Sequence, residues 1–227
     1  MKNNKFFAVI TGDLVKSKRL PNQNTVLSAL NSAFNSVQLF LECKQNSNIL
    51  CAPFQIFRGD SFQGVISNPE LALHVLIILR ASLRCIRHTQ RRKNSIDVRL
   101  ALGIGTVNYL PDKKVSEGDG DAFRRSGTLL DTLKKKPVFL AVDTPWPDIN
   151  KELDVECALL DAIIYKWSAH QAEAILGYLR GLTQAEIGNN LGITQAALSL
   201  RLRDAGSKAI EICCNRYQNI IRDVSHC

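Results

Sequence analysis

Two aspartates are the residues best placed to do chemistry. Asp13 follows the apolar run of residues 6–12, Phe-Phe-Ala-Val-Ile-Thr-Gly, which reads as a buried strand. Asp60 lies in Arg58-Gly59-Asp60, between strand-like runs at 54–57 and 62–66, so a Gly-containing turn closes a hairpin there. In a layered sheet the end of the first strand and the tip of the adjacent hairpin can come together. Two carboxylates at that place offer the hard oxygen donors that Mg²⁺ shares with substrate phosphates. The spacing alone does not choose between this role and a structural one, which is the commoner use of Asp at strand ends and in turns. The four histidines, His74, His88, His170 and His226, show neither metal-ligand spacing nor a nucleophile partner.

The elements that would carry these aspartates follow from periodicity. Val26, Leu27, Leu30, Phe34, Val37 and Leu41 recur at helical spacing and predict a helix over 23–43. A second, more apolar helix runs from Pro69, a suitable first helical residue, to about Arg91. Residues 98–107 read as a strand interrupted by Gly103 and Gly105, which signals close approach of another backbone or a ligand. A helix over 121–135 and a strand over 138–142 complete the order β-α-β-β-α-β-α-β. That order predicts an α+β fold with a ferredoxin-like, largely antiparallel sheet and helices on one face, over residues 1–144.

Residues 145–227 read as wholly helical. Ser168 is placed to cap one helix, and Thr183-Gln184-Ala185-Glu186 fits a capping box opening a short second one. Gly192 then breaks the chain and Thr194 caps a third helix. The stretch from Leu182 to Ser199 resembles the helix-turn-helix of bacterial transcription regulators and sigma-factor promoter-reading domains, within a unit at about 169–204. That resemblance implies a groove-facing set of Thr194, Gln195, Ala196, Ser199, Arg201 and Arg203, in which Gln suits adenine and Arg suits phosphate or guanine. The last helix has an apolar stripe of Ala209, Ile212, Cys213, Tyr217, Ile220 and Ile221 that either joins a homodimer or packs within its own domain.

Of the 227 residues, 29 are Lys or Arg and 21 Asp or Glu, giving a net charge of +8. Residues 156–227 hold seven of each sign, so the whole excess lies upstream. The helix-turn-helix stretch is therefore in the neutral part, and basicity is not independent support for DNA binding. Much of the excess sits in Arg80, Arg84, Arg87, Arg91, Arg92 and Lys93 and in Lys134-Lys135-Lys136. Such runs are either solvated helix faces and helix ends or a phosphate-facing patch. Seven dispersed cysteines without a Cys-x-x-Cys pair fit a reduced, cytoplasmic protein without disulfides. No apolar run approaches the roughly 20 residues that span a bilayer, and no membrane partner is expected.

Four motifs occur in order: Ile10-Thr11-Gly12-Asp13-Leu14-Val15-Lys16-Ser17, Arg58-Gly59-Asp60-Ser61-Phe62-Gln63-Gly64, Val98 to Val107 with its two glycines, and Glu117-Gly118-Asp119-Gly120-Asp121-Ala122-Phe123-Arg124. Together they resemble the bacterial SatD family over nearly the whole chain. More distantly, the first strand and the hairpin are similar to the palm domain of class III nucleotidyl cyclases and GGDEF diguanylate cyclases. The resemblance implies that Asp13 and Asp60 bind Mg²⁺ and that Lys16, Arg58, Gly59, Arg124 and Arg125 cradle a nucleotide or another phosphate ligand. Ser61 departs from the Glu of the Gly-Asp-Glu-Phe pattern. Arg124 and Thr128 stand where cyclases carry Asn and Arg. On these departures the sequence reads first as a DNA-binding transcriptional regulator with a nucleotide-sensing palm. The alternative is a metal-dependent nucleotidyl cyclase or nucleotidyltransferase with a helix-turn-helix accessory unit.

Overall fold

The computed structural model describes residues 5–15, 22–44, 49–86, 96–111 and 114–225. Five strands form one sheet: β1 (Phe7–Val15), β2 (Leu50–Arg58), β3 (Ser61–Ile66), β4 (Asp97–Gly105) and β5 (Leu140–Asp143), in the order β2-β3-β1-β4-β5. β1 is central and runs antiparallel to both β3 and β4, while β5 adds parallel to β4. Helices α1 (Gln23–Cys43), α2 (Ala72–Arg84) and α3 (Asp121–Leu133) alternate with the strands. Five more follow: α4 (Pro147–Ile164), α5 (Ala169–Leu179), α6 (Gln184–Leu191), α7 (Gln195–Asp204) and α8 (Ser207–Ser225). The α+β class and the order of strands and helices along the chain agree with the sequence reading.

The expectation of helices on one face is corrected. Strand residues alternate between faces, and here both faces are covered. Ala8, Ile10 and Leu14 of β1 and Leu100, Leu102 and Ile104 of β4 face the large core built with α1 and α2. Val9 and Ala101 face the other way, toward Ala122, Leu130 and Leu133 of α3. The reason is legible in β4: an added Cβ on Gly103 would stand 2.3 Å from the Ala122 carbonyl oxygen, so the missing side chain is what lets α3 lie down on the sheet. A buried hydrogen-bond chain then fixes α3 in place. Gln63 donates to Thr11 (2.9 Å), Thr11 to Ser126 (3.0 Å) and Ser126 to the Phe123 carbonyl (3.1 Å).

The expected helix from Pro69 begins as a 3-10 turn at Pro69–Leu71 and continues as α2; residues 87–95, with Arg87, Arg91, Arg92 and Lys93, lie outside the described residues. Arg80 and Arg84 are not part of a solvated face. Arg80 is wholly buried, bonded to Asp97 (2.8 Å) and to Asp161 of α4, with its guanidinium 4.9 Å from the Phe139 ring centre. Arg84 reaches Asp97 (2.8 Å) and the carbonyls of Tyr165 and Trp167. Burial lowers its pKa below the usual guanidinium value, and Asp97 opposes that shift. Charges taken this far from water persist only when paired in this way.

The two arginines thus tie α2 and β4 to the helical residues beyond β5. The large apolar core continues in the same direction, from α2 through Ile175 of α5, Leu198 of α7 and Tyr217 of α8. The local signals in this region are seen as structure. Ser168 and Thr183 each complete a capping box, with Gln171 and Glu186, and Gly192 ends α6 in the left-handed region at φ +63°. Tyr217, Ile220 and Ile221 of the α8 stripe pack within the chain, Tyr217 donating to the Pro69 carbonyl at 2.9 Å, while Ala209 and Ile212 are exposed.

One pH dependence follows from α2. His74 stacks on Phe40 of α1 at 5.6 Å and its Nδ1 has no hydrogen-bond partner. Burial, helped by the nearby Lys44 charge, pushes its pKa down to about 4. Between the unfolded value, about 6.5, and 4, the unfolded chain takes up a proton that the folded one refuses. Stability is therefore expected to fall as pH drops through that window, by up to about 3 kcal/mol at about 1.36 kcal/mol per pH unit. Urea unfolding at pH 7 and pH 4.5 tests this, with His74→Phe expected to lose that share of the decline. Equal declines in both proteins would contradict it.

Candidate functional site

The register brings the hairpin to the end of β1. Asp13 is the cross-strand partner of Ser61 on β3 and of Arg99 on β4, and all three lie on the α3 face of the sheet. The mostly buried Asp13 carboxylate accepts a hydrogen bond from Ser61 Oγ at 2.8 Å through Oδ1. Lys134 Nζ, just past the end of α3, stands 3.7 Å from the same oxygen. Arg99 Nη1 is 3.9 Å from Oδ2. Both cations are close enough for Coulomb attraction but too far for a hydrogen bond. Arg99 Nε is shielded from solvent and has no hydrogen-bond partner, an arrangement that costs about 1–3 kcal/mol when nothing fills it.

Asp60 directly precedes Ser61 in the turn and is half-buried, following Gly59 at φ +60°. Its carboxylate makes no ion pair among the described residues. Arg58 is exposed at the end of β2 and pairs in register with Ser61. The hairpin therefore gathers Asp13, Arg58, Gly59, Asp60 and Ser61 at one end of the sheet. Lys16 lies outside the described residues. Among those that are described, no three His, Cys, Asp or Glu side chains form a group able to hold a metal ion.

Arg124 and Arg125 are not brought to this place. They occupy the first turn of α3, while Lys134 follows its last; ten residues at about 1.5 Å each separate the two ends by roughly 15 Å. Arg124 is paired with Asp119 at 2.9 Å. Arg125 bonds Asp121 (2.6 Å), Asp143 (3.0 Å) and the Thr144 carbonyl. Although burial alone would lower it, pairing with Asp121 and Asp143 holds the Arg125 pKa above its usual value. Both guanidiniums are paired with the chain's own carboxylates, at the other end of α3 from Asp13. Arg99 and Lys134, which the sequence reading did not place there, stand beside Asp13 instead. Arg99 was detectable: it is four residues before Gly103 on the same strand, hence on the same face.

These features define a mixed α+β protein with a charged cluster where the end of its central strand meets the tip of the adjacent hairpin. The chain belongs to the SatD family, whose model matches residues 6–219. The sequence matches no curated protein at a significant level. Among solved structures, it is similar to the dimeric guanylyl cyclase domain of the RhoGC fusion protein from the aquatic fungus Blastocladiella emersonii, at 19% identity and TM-score 0.37, covering 57% of this chain and 74% of that one. A bacterial light-regulated adenylyl cyclase is similar at 16% identity and TM-score 0.39, covering 60% and 74%. The adenylyl cyclase CyaB from P. aeruginosa is similar at 16% and 0.37, covering 57% and 72%. Overlaps at this level transfer neither activity nor substrate to this chain.

The reading as a DNA-binding transcriptional regulator is corrected. The similar solved structures named above are guanylyl and adenylyl cyclase domains. α7 is also poorly equipped for the grooves of DNA. Thr194, Gln195, Ala196 and Ser199 are exposed, but the Thr194 hydroxyl is spent capping the helix through Ala197 N. Arg203 is paired with its neighbour Asp204 at 3.0 Å, and Arg201 is half-buried. Of the two α7 arginines, one is thus paired on the chain and the other partly withdrawn from solvent. No helix among the described residues is long and apolar enough to cross a membrane.

Proposed function

We propose that this protein binds a nucleoside triphosphate with a divalent cation at the tip of the β2–β3 hairpin and acts as a nucleotidyl cyclase or nucleotidyltransferase. The observation that carries this reading is the Asp13 cluster: a largely buried carboxylate, a second one at the adjacent turn, and two cations with unused donors beside them. The donor set fits Mg²⁺. Asp13, Asp60 and the Ser61 hydroxyl offer only oxygen, and they are too few for a closed cage. An ion that keeps several waters and shares the substrate's phosphates suits such a site.

When bound, the ion would supply charge neutralisation and polarisation at the phosphates. Asp13 and Asp60 would hold it, and the Ser61 hydroxyl orients the Asp13 carboxylate. Arg58 and the Gly59 backbone would lie beside the ligand; Lys16, outside the described residues, is the further cation the sequence offers. The reaction class is attack of a hydroxyl oxygen on the α-phosphorus, with pyrophosphate leaving and the hydroxyl proton passing to water. Residues 145–227, with a helix-turn-helix arrangement at about 169–204, form an accessory unit fixed to the sheet through Arg80 and Arg84. Reduced cysteines support a cytoplasmic setting, since the six described are all free.

The test is turnover of labelled nucleoside triphosphates with Mg²⁺ or Mn²⁺. Pyrophosphate release is expected from the wild type and is expected to fall by about 100-fold or more in Asp13→Ala and in Asp60→Ala. Release that survives both substitutions, or no release with any of the four common triphosphates, would contradict the reading.

A further inference from the structure

Resting on that function, we infer that Arg99 and Lys134 are the phosphate subsite of the hairpin site, and that in its absence they guard Asp13 against metal, so that the divalent cation and the phosphate ligand bind as a pair. The geometry that points to this is the mismatch between the cations and the carboxylate. At 3.9 and 3.7 Å they neutralise Asp13 without bonding it. Asp13's hydrogen bond comes instead from Ser61 at 2.8 Å.

The donors of Arg99 and Lys134 are thus left over. Neither side chain hydrogen-bonds another described residue, and Arg99 Nε is both shielded and unmatched. A guanidinium presents its N–H groups in a planar fork suited to phosphate oxygens, and an ammonium on a flexible stem adds a movable point charge. Arg99 comes from β4 and Lys134 from the end of α3, so they flank Asp13 from two elements. Lys134 is the more exposed of the two and free to swing.

The two states then differ by exchange of partners. Without ligand, a divalent cation approaching Asp13 meets two positive charges within 4 Å, which opposes its binding. A triphosphate draws both cations onto its own oxygens and leaves Asp13 to the metal. Metal alone binds weakly, phosphate alone binds moderately, and together they bind tightly. This gives the site a reason to ignore free Mg²⁺.

The experiment measures two probes separately: Mn²⁺ alone, by electron paramagnetic resonance, and metal-free inorganic triphosphate, by calorimetry. Lys134→Gln and Arg99→Gln are each expected to tighten Mn²⁺ binding about tenfold and to weaken triphosphate binding about tenfold or more. Arg99→Lys should recover Mn²⁺ exclusion while recovering triphosphate affinity only in part. The exposed position of Lys134 makes its variant safe for folding, and circular dichroism checks both. Opposite signs for the two probes support the inference, because a merely structural role would move both in the same direction. Unchanged or parallel effects, with the wild type still binding Mn²⁺ and triphosphate together, would overturn this inference and leave the proposed function standing. No binding of either probe, separately or together, to any variant would overturn both.

Discussion

Arg80→Ala is expected to destabilise the protein by about 3–5 kcal/mol, the loss seen when one partner of a buried ion pair is removed. Arg80 has no exposed surface, and its guanidinium serves Asp97 on β4, Asp161 on α4 and the Phe139 ring together. Without it, among the described residues, Asp97 keeps only Arg84 as a cationic partner, and Asp161 keeps the Phe139 amide at 2.8 Å. Arg80→Lys is expected to recover little, since a point charge cannot reach three partners in one plane. Urea unfolding measures the effect. A loss below about 1 kcal/mol, the value of a surface pair, would mean that the cluster does not hold the helical residues to the sheet.

Gly103→Ala is expected to cost about 3 kcal/mol or more, at the upper end for overpacking. Its Cβ would stand 2.3 Å from the Ala122 carbonyl oxygen and 2.5 Å from the Ser126 amide, both backbone atoms that move only if α3 moves. Because Lys134 follows α3, the same substitution is expected to weaken triphosphate binding from a distance. Gly127→Ala is the control on the same helix. Nothing lies within 4 Å of its added Cβ, so the higher helix propensity of Ala should stabilise α3 by up to about 1 kcal/mol. Thermal melts of the two variants should move in opposite directions, and similar shifts would contradict the packing argument.

Where the signal is local, the chain could be read directly. The α1 stripe, the Ser168 cap, the capping box at Thr183 and the glycines of β4 are each set by a few consecutive residues, and the structure shows all of them. What could not be read is what depends on partners far along the chain. Arg80 and Arg84 have the spacing of a solvated helix face, and only the return of Asp161, 81 residues later, explains their burial. α3 crosses to the opposite face because Gly103 and Gly105 leave room there; the pattern signalled close approach but not from which side. The candidate site divides in the same way. Asp13 and Asp60 were legible from their place at a strand end and a turn. Arg99 and Lys134 needed the register of β1 with β4 and the end of α3. For Arg124 and Arg125 the resemblance gave order along the chain, but not which carboxylates the folded chain supplies to its own arginines.

The most direct test of the central claim locates the ligand without relying on turnover. Backbone amide spectra would be recorded with a non-hydrolysable nucleoside triphosphate analogue and Mg²⁺, then with Mn²⁺ in trace amount. The account predicts that paramagnetic broadening centres on Gly12, Asp13, Gly59, Asp60 and Ser61, extends to Arg99 and Lys134, and leaves Arg124, Arg125 and α5–α7 sharp. Broadening centred at the first turn of α3 or on α6 and α7, with the hairpin unaffected, would contradict it.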